Sequence, residues 1–219
     1  MLPSQELQAV LFDVDGTMFD TETLSTNGWL HAGKVTGYER TREQFQELTG
    51  KSLEEDIRLF QDWFGEDVPY WDIRKVRTAY MEDFIEANGV PLKEGLLPLL
   101  ELLSKQQIPL GIGTGTARAD AEPRLLKSGI LSHFSAVVYG DDVAHGKPAP
   151  DVYLKAAELL SVDIRHCLVL EDSIPGIQAA LASGAHVIAI PDQIPLSEEL
   201  TTQVDSVFSS LTAVAELFR

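Results

Sequence analysis

The most specific segment of the sequence is Phe12-Asp13-Val14-Asp15-Gly16-Thr17, in which an apolar strand runs directly into two carboxylates and a turn. The apolar run at residues 9–14 (AVLFDV) lacks the alternation of a half-exposed strand, which is typical of a strand covered on both faces. Gly16 allows the backbone to turn sharply. In open α/β sheets ligands bind beyond the carboxyl ends of strands, so we expect this segment to belong to a site.

Four more apolar runs predict buried strands, and helical patterns separate them. The predicted strands are residues 109–113, 136–139, 167–170 and 186–190. The predicted helices are residues 95–106, 119–128, 150–160 and 175–183. Strands that alternate with helices predict an α/β protein with a doubly wound parallel sheet.

One interval breaks this alternation. From residue 20 to residue 88 no apolar run predicts a strand, whereas helical periodicity fits residues 42–48, 53–63 and 73–86. All 3 tryptophans lie there, and we expect most of them in a local core. The 219 residues therefore predict a core domain of residues 1–19 and 89–219 with a helical domain, residues 20–88, inserted after the first strand.

Composition and charge exclude several classes of protein. Lys and Arg number 17 against 34 Asp and Glu, a formal net charge of −17 that repels nucleic acid and anionic membranes. No run of about 18 apolar residues predicts a transmembrane helix, and the N-terminus lacks a secretory pattern. The single cysteine, Cys167, is expected to be a core residue. We expect a cytoplasmic protein, monomeric or weakly dimeric, that binds neither nucleic acid nor membranes.

The two carboxylates of the first segment can carry three kinds of chemistry. A carboxylate such as Asp13 can attack phosphorus and form an aspartyl phosphate. A second one, such as Asp15, can protonate the leaving oxygen and then activate water. Two carboxylates so close also suit a hard cation, because Mg²⁺ prefers carboxylate, carbonyl and water oxygens.

Three further polar segments follow predicted strands and should meet the first segment at one edge of the sheet. Residues 114–116 offer hydroxyls and backbone amides to a phosphate. Lys147, in a loop restricted by two prolines, can neutralise a phosphoryl group. Glu171 and Asp172 add carboxylates for a cation. Because the four segments are complementary in content, they favour one phosphoryl-transfer site over four unrelated turns.

In this order the four segments resemble the four motifs of the haloacid dehalogenase (HAD) superfamily. The resemblance covers nearly the whole chain and implies a HAD-like Rossmannoid core, to which the helical insert would add a C1 cap. Residues 19–22, 146–151 and 171–176 are similar to the subgroup that contains beta-phosphoglucomutase and small sugar-phosphate phosphatases.

The resemblance also implies a role for each matching residue. Asp13 would be the nucleophile and Asp15 the general acid and base. Mg²⁺ would be held by Asp13, the Asp15 carbonyl and Asp172, with Glu171 close by or acting through water. Thr114 and Lys147 would bind phosphate and contribute to catalysis. Gly115 and Thr116 would bind phosphate as well.

Among the reactions of the superfamily, phosphoryl transfer fits this sequence best. The family members that remove halide lack the second aspartate, which is present here as Asp15. Phosphonate cleavage uses a cap lysine in surroundings that neither Lys34 nor Lys51 matches. The prediction is a Mg²⁺-dependent phosphatase of a small organic phosphate, such as a sugar phosphate, acting through an aspartyl phosphate.

Two alternatives stay open. A phosphomutase of the beta-phosphoglucomutase type would carry a cap arginine and a cap histidine where this chain has Leu53 and Ser25. The cations that could substitute are Lys51, Arg74, Lys75 and Arg77. A catalytically silent binding protein on the same scaffold is the other alternative. The cap residues expected to meet the substrate are Glu22, Lys51, Arg74 and Arg77.

Overall fold

The computed structural model describes residues 7–49, 51, 53–192 and 195–219, and the chain divides into two compact units. One unit combines the chain up to Phe19 with the chain from Leu92 onward, and the other is Asp20–Pro91. We call the second the inserted unit; it ends at Pro91, slightly beyond the predicted residue 88. Phe19 and Leu92, where the first unit is interrupted, form an isolated antiparallel pair.

The first unit contains a six-stranded sheet in the order β3-β2-β1-β4-β5-β6, in which every pair of neighbours is parallel. Its strands are β1 Ala9–Phe12, β2 Leu110–Gly113, β3 Ala136–Val138, β4 Cys167–Glu171, β5 His186–Ala189 and β6 Ser206–Val207. The predicted α/β fold with a parallel sheet is confirmed. The sixth strand was not predicted, because two partly exposed residues make no apolar run.

Helices connect the strands and build the inserted unit. They are α1 Thr21–Thr36, α2 Arg42–Gln46, α3 Leu53–Phe64, α4 Tyr70–Asn88, α5 Leu96–Lys105, α6 Arg118–Ser128, α7 Asp151–Leu160, α8 Ile174–Ser183, α9 Glu198–Gln203 and α10 Leu211–Ala215. Gly129 and Gly184 end α6 and α8 in the left-handed conformation, as their positions predict. Across the part of the chain described, every helix is too short or too polar to cross a membrane.

The central strands are buried along their whole length, which explains why their sequences read as continuous apolar runs. Leu11 and Val169 share a core cluster with Tyr153 of α7 and Ile177 of α8. Cys167, at the start of β4, is completely buried, so its prediction as a core residue is confirmed.

The inserted unit has an aromatic core of its own around Trp29. The ring centroid of Trp29 lies 5.0 Å from that of Phe60 and 6.2 Å from that of Phe45. Trp63 is partly buried and packs against this core, with its ring centroid 5.6 Å from that of Phe60, so the expectation for most of the tryptophans is met. Only Trp71, which is 59% exposed, differs from it. Trp71 lies in the first turn of α4, where its ring contacts Tyr70 and Arg74 at the surface.

Candidate active site

The predicted site residues of the first unit follow three adjacent strands. Asp13 comes directly after β1, Thr114 directly after β2, and Asp172 directly after β4. Phe12 is in register with Ile112 on one side and with Leu170 on the other, so the three strands end at the same level. The polar side chains therefore gather at the carboxyl edge of the sheet, where α/β proteins bind ligands.

Lys147 is the cation at the centre of this edge. Its Nζ forms a short ion pair with Asp13 Oδ1 and a second one, at 2.7 Å, with Glu171 Oε1. Only 8% of its side chain is exposed, and Nζ lies 4.8 Å from the ring centroid of Tyr153. Burial by itself lowers the pKa of Lys147, because it disfavours the charged form. The attraction of the Asp13 and Glu171 carboxylates is larger in sum, so the pKa of the lysine is raised. Lys147 therefore stays protonated and neutralises part of the acidic charge around it.

Glu171 is the last residue of β4, and its carboxylate is fully buried. Oε1 accepts hydrogen bonds from Lys147 Nζ and, at 2.9 Å, from the Tyr153 hydroxyl. Oε2 accepts from the backbone amides of Asp172 and Ser173, both at 2.9 Å, and from the Ser173 hydroxyl. A Cβ at Gly176 would overlap this carboxylate, so the glycine makes room for it. With both oxygens engaged, Glu171 is a fixed anion that orients Lys147.

Asp172 is held on the other side of the cluster. Its Oδ1 accepts a hydrogen bond from Thr17 Oγ1 at 2.8 Å. Gly16 has a φ of 88°, and a side chain there would overlap the Asp172 carboxylate. The turn after β1 thus needs glycine both for its conformation and for the close approach of Asp172.

The donor set of this cluster fits a divalent cation. Asp13, Glu171 and Asp172 each offer a carboxylate oxygen, and these oxygens lie within 4.8 Å of one another. Three carboxylates against the single Lys147 ammonium leave a net charge of −2. Burial, and after it the repulsion from neighbouring carboxylates, raises the pKa of Asp13 to about 8 and the pKa of Asp172 well above its usual range. A divalent cation would supply the missing charge.

Asp15 is held by a second group of polar residues. Its Oδ2 accepts a hydrogen bond from Thr116 Oγ1 at 2.8 Å, and its Oδ1 accepts one from Arg124 Nη1 at 2.6 Å. Thr114, which is almost completely buried, accepts a hydrogen bond from the Thr116 amide at 3.1 Å. The segment from Thr114 to Thr116, with Gly115 between them, therefore connects to Asp15.

The inserted unit contains a polar pocket of about 180 Å³. All four predicted cap residues line it, namely Glu22, Lys51, Arg74 and Arg77. Arg77 Nη2 donates a hydrogen bond to Ser25 Oγ at 2.5 Å, and its guanidinium lies 5.4 Å from the Trp29 ring centroid. Gly50 and Ser52, on either side of Lys51, lie outside the described residues.

Opposite charges in this pocket are incompletely matched. Among the described residues, Arg77 Nε and Asp56 Oδ1 are buried without a hydrogen-bond partner. Burial raises the pKa of Asp56 to about 6, and it lowers the pKa of Arg77. The pocket thus offers both a donor and an acceptor to a polar ligand.

Comparison with known proteins places the chain in a family. A family model described as haloacid dehalogenase-like hydrolase matches residues 10–190. The chain belongs to this family. The earlier resemblance to the HAD superfamily is thereby confirmed, and so is the prediction of an enzyme of the hydrolase class.

Relatives and solved structures extend this similarity over most of the chain. A bifunctional riboflavin kinase/FMN phosphatase of Arabidopsis thaliana is 39% identical over 205 residues, 92% of this chain and 53% of that protein. The fructose-1-phosphate phosphatase of Escherichia coli is 29% identical over 183 residues, 83% of this chain and 95% of its own. A HAD family hydrolase of Deinococcus radiodurans, solved with bound phosphate and sodium, is 25% identical with a TM-score of 0.83, covering 97% of this chain and 95% of its own.

Sequence reasoning missed three residues of this site. Arg124 contacts Asp15 from 109 positions away, and Tyr153 contacts Glu171 from 18 positions away. Both are helix residues whose types are common on any helix, so no local pattern marks them. Ser173 lies within residues 171–176, which resemble the subgroup, and its position before the first turn of α8 could have identified it as the N-cap.

Proposed function

We propose that the protein is a Mg²⁺-dependent phosphatase that hydrolyses a small organic phosphate through a phosphorylated Asp13. The observation that carries this proposal is the buried Asp13 carboxylate paired with Lys147 beside Glu171 and Asp172. A carboxylate in such a place can act as a nucleophile, because the lysine offsets its repulsion from an incoming phosphoryl group.

In the first half of the proposed reaction, an oxygen of Asp13 attacks phosphorus and the bond from phosphorus to the leaving oxygen breaks. Asp15 donates a proton to that oxygen. Thr114 and the amides of Gly115 and Thr116 bind the phosphoryl oxygens together with Lys147. Mg²⁺, when bound by Asp13, Asp172 and the Asp15 carbonyl, would supply positive charge for the phosphoryl group.

In the second half, water attacks the phosphorus and the bond to Asp13 breaks. Asp15, now ionised, takes a proton from that water and returns to its starting state. Glu171 makes no bond to the phosphoryl group in this scheme; it keeps Lys147 in place and adds negative charge beside the cation.

We assign the inserted unit the role of a cap that recognises the part of the substrate released in the first half. Its pocket presents Lys51, Arg74 and Arg77 together with Glu22, which suits a polyhydroxylated leaving group such as a sugar. The relatives named as FMN phosphatase and fructose-1-phosphate phosphatase support a small phosphorylated molecule as the substrate.

A screen of phosphate esters tests the proposal. Fructose 1-phosphate, glucose 1-phosphate, glucose 6-phosphate, FMN and p-nitrophenyl phosphate are each incubated with enzyme and Mg²⁺ or with EDTA, and released phosphate is measured. We expect hydrolysis in the presence of Mg²⁺ and none in the presence of EDTA. Asp172→Ala should raise the Mg²⁺ concentration that gives the half-maximal rate. Hydrolysis of none of these esters would favour the silent binding protein.

One observation supports the mutase as a second candidate. At Ser25, where a mutase-type protein has a histidine, Arg77 supplies a cation by hydrogen bonding to the serine. The test is beta-glucose 1-phosphate with a trace of glucose 1,6-bisphosphate and Mg²⁺. The phosphatase proposal predicts inorganic phosphate as the main early product, whereas a mutase would form glucose 6-phosphate many times faster.

A further inference from the structure

The contacts of Asp15 differ between its two carboxylate oxygens. Oδ2 accepts from the Thr116 hydroxyl at 2.8 Å, and Oδ1 accepts from Arg124 Nη1 at 2.6 Å. A hydroxyl can donate or accept a hydrogen bond, whereas a guanidinium can only donate. Oδ1 therefore always faces a hydrogen-bond donor. Oδ2 faces a hydroxyl that can donate to it when Oδ2 is unprotonated and can accept from it when Oδ2 carries a proton.

Arg124 is itself held firmly. Its Nε donates a hydrogen bond to the carbonyl of Asp120, one turn earlier in α6, at 2.9 Å. The side chain is 21% exposed, and that of Asp15 is 24% exposed. An arginine fixed at Nε and at Nη1 has little freedom left, so its planar group sets the direction of the Asp15 carboxylate.

The second arginine of α6 provides a contrast. Arg118 is 47% exposed and pairs with Asp142 at 3.0 Å and with Glu122 at 3.3 Å. The contact with Asp142 ties α6 to the loop after β3, the contact with Glu122 lies within α6, and neither involves a predicted site residue. Arg124 therefore differs from Arg118 in two ways: it contacts the site residue Asp15, and its side chain is less exposed.

We propose that Arg124 is a positioning residue that fixes Asp15 so that Oδ2 carries the mobile proton during phosphoryl transfer. This inference rests on the proposed function, in which Asp15 is the general acid and base. In the first half, the proton on Oδ2 passes to the leaving oxygen as its bond to phosphorus breaks. In the second half, Oδ2 takes a proton from the attacking water, while Oδ1 stays bonded to Arg124 throughout.

A positioning role has a consequence that a structural role lacks. A sugar alkoxide is strongly basic and needs a proton in order to leave, whereas p-nitrophenolate leaves without one. Loss of the correct Asp15 orientation should therefore slow the first half only for the sugar phosphate. For both esters kcat/KM reports this first half, since it includes the steps up to release of the leaving group.

The experiment compares kcat/KM for p-nitrophenyl phosphate with that for the sugar phosphate hydrolysed fastest in the screen. The proteins are the wild type, Arg124→Met, Arg124→Lys and the control Arg118→Met, each checked by thermal melting. For Arg124→Met we expect at least about a tenfold loss on the sugar phosphate, within the range of general acid catalysis, and less than about a twofold change on the aryl ester. Arg124→Lys should recover part of the loss, and Arg118→Met should change neither value.

The outcomes separate the two proposals. Equal losses on both esters, or no loss on either, would overturn the role of Arg124 and leave the phosphatase assignment intact. If Arg124→Met does not fold, kcat/KM of Arg124→Lys is compared for the two esters instead. The expected result is then a smaller loss that is still confined to the sugar phosphate. A wild type that hydrolyses neither ester would overturn the proposed function and this inference with it.

Discussion

Among single residues, Asp13→Asn distinguishes the catalytic role of the carboxylate from its contribution to the structure of the site. The amide has nearly the same volume but cannot attack phosphorus, so turnover should fall by about 10³-fold or more while the fold persists. Phosphate release and thermal melting measure the two effects. Turnover within tenfold of the wild type would contradict an aspartyl phosphate.

Gly176→Ala tests the fixed position of the Glu171 carboxylate. Because the new methyl group would overlap that carboxylate, we expect a loss of about 1–3 kcal/mol in the free energy of unfolding and a lower kcat. Gly146→Ala is the control, since a Cβ there has nothing within 4 Å. Urea unfolding and phosphate release compare the two variants, and equal effects would mean that Gly176 is not needed for space.

The residues of the site were predictable from sequence to different degrees. Asp13 and Asp172 stand directly after strands, and Lys147 stands just before two prolines, so the types and places of these residues could be predicted together. Arg124 and Tyr153 reach the site only because α6 and α7 pack near the sheet edge. Their roles depend on tertiary packing, which no local pattern encodes.

At the scale of secondary-structure elements, Ser173 connects the start of α8 to Glu171. Its hydroxyl oxygen accepts from the Gly176 amide and its hydroxyl donates to Glu171 Oε2. Ser173→Ala should lower the free energy of unfolding by about 1 kcal/mol through loss of the cap, and it should also reduce activity.

Ser210→Ala is the matched control for that change. Ser210 is the N-cap of α10 and accepts from the Ala213 amide at 3.3 Å, with no contact to the site residues described above. We expect a similar loss of stability from this variant, measured by urea unfolding, and unchanged activity. If both variants lose activity equally, the effect of Ser173 comes from stability alone.

Asp56 on α3 gives the inserted unit a predictable response to pH. Burial raises its pKa from 3.8 to about 6, so ionisation costs stability as the pH rises through that window. Asp56→Asn removes this cost, and its stability relative to the wild type should improve by up to about 1 kcal/mol between pH 4 and pH 7.5, a figure reduced for partial exposure. Urea unfolding at the two pH values measures it, and a pH-independent difference would contradict the assignment.

Elements were easiest to predict where apolar periodicity and caps coincide. The ends of α6 and α8 follow from Gly129 and Gly184. The helix α1 was not located within the insert, because its buried face includes Thr26, Gly28 and Gly33 and shows no apolar stripe. Close packing explains the glycines, since a Cβ at Gly33 would lie 2.8 Å from the Tyr38 carbonyl oxygen.

At the scale of the whole molecule, the pairing of Phe19 with Leu92 predicts that the inserted unit can be removed. Paired residues in an antiparallel bridge lie about 5 Å apart, so a short Gly-Ser link in place of Asp20–Pro91 should close the chain. We expect the remaining core to unfold cooperatively and to hydrolyse p-nitrophenyl phosphate slowly without preference among sugar phosphates. Loss of cooperative unfolding, followed by circular dichroism, would show that the core needs the insert.

The whole molecule also contains a natural probe of its own opening in Cys167. This only cysteine is completely buried on β4, between β1 and β5, and burial raises the pKa of its thiol to about 12. A thiol in that state does not react with disulfide reagents, so labelling must wait until the middle of the sheet separates. The rate of thiol labelling in native buffer therefore measures the rate or extent of sheet opening at the Cys167 sulfur, and no label site has to be engineered.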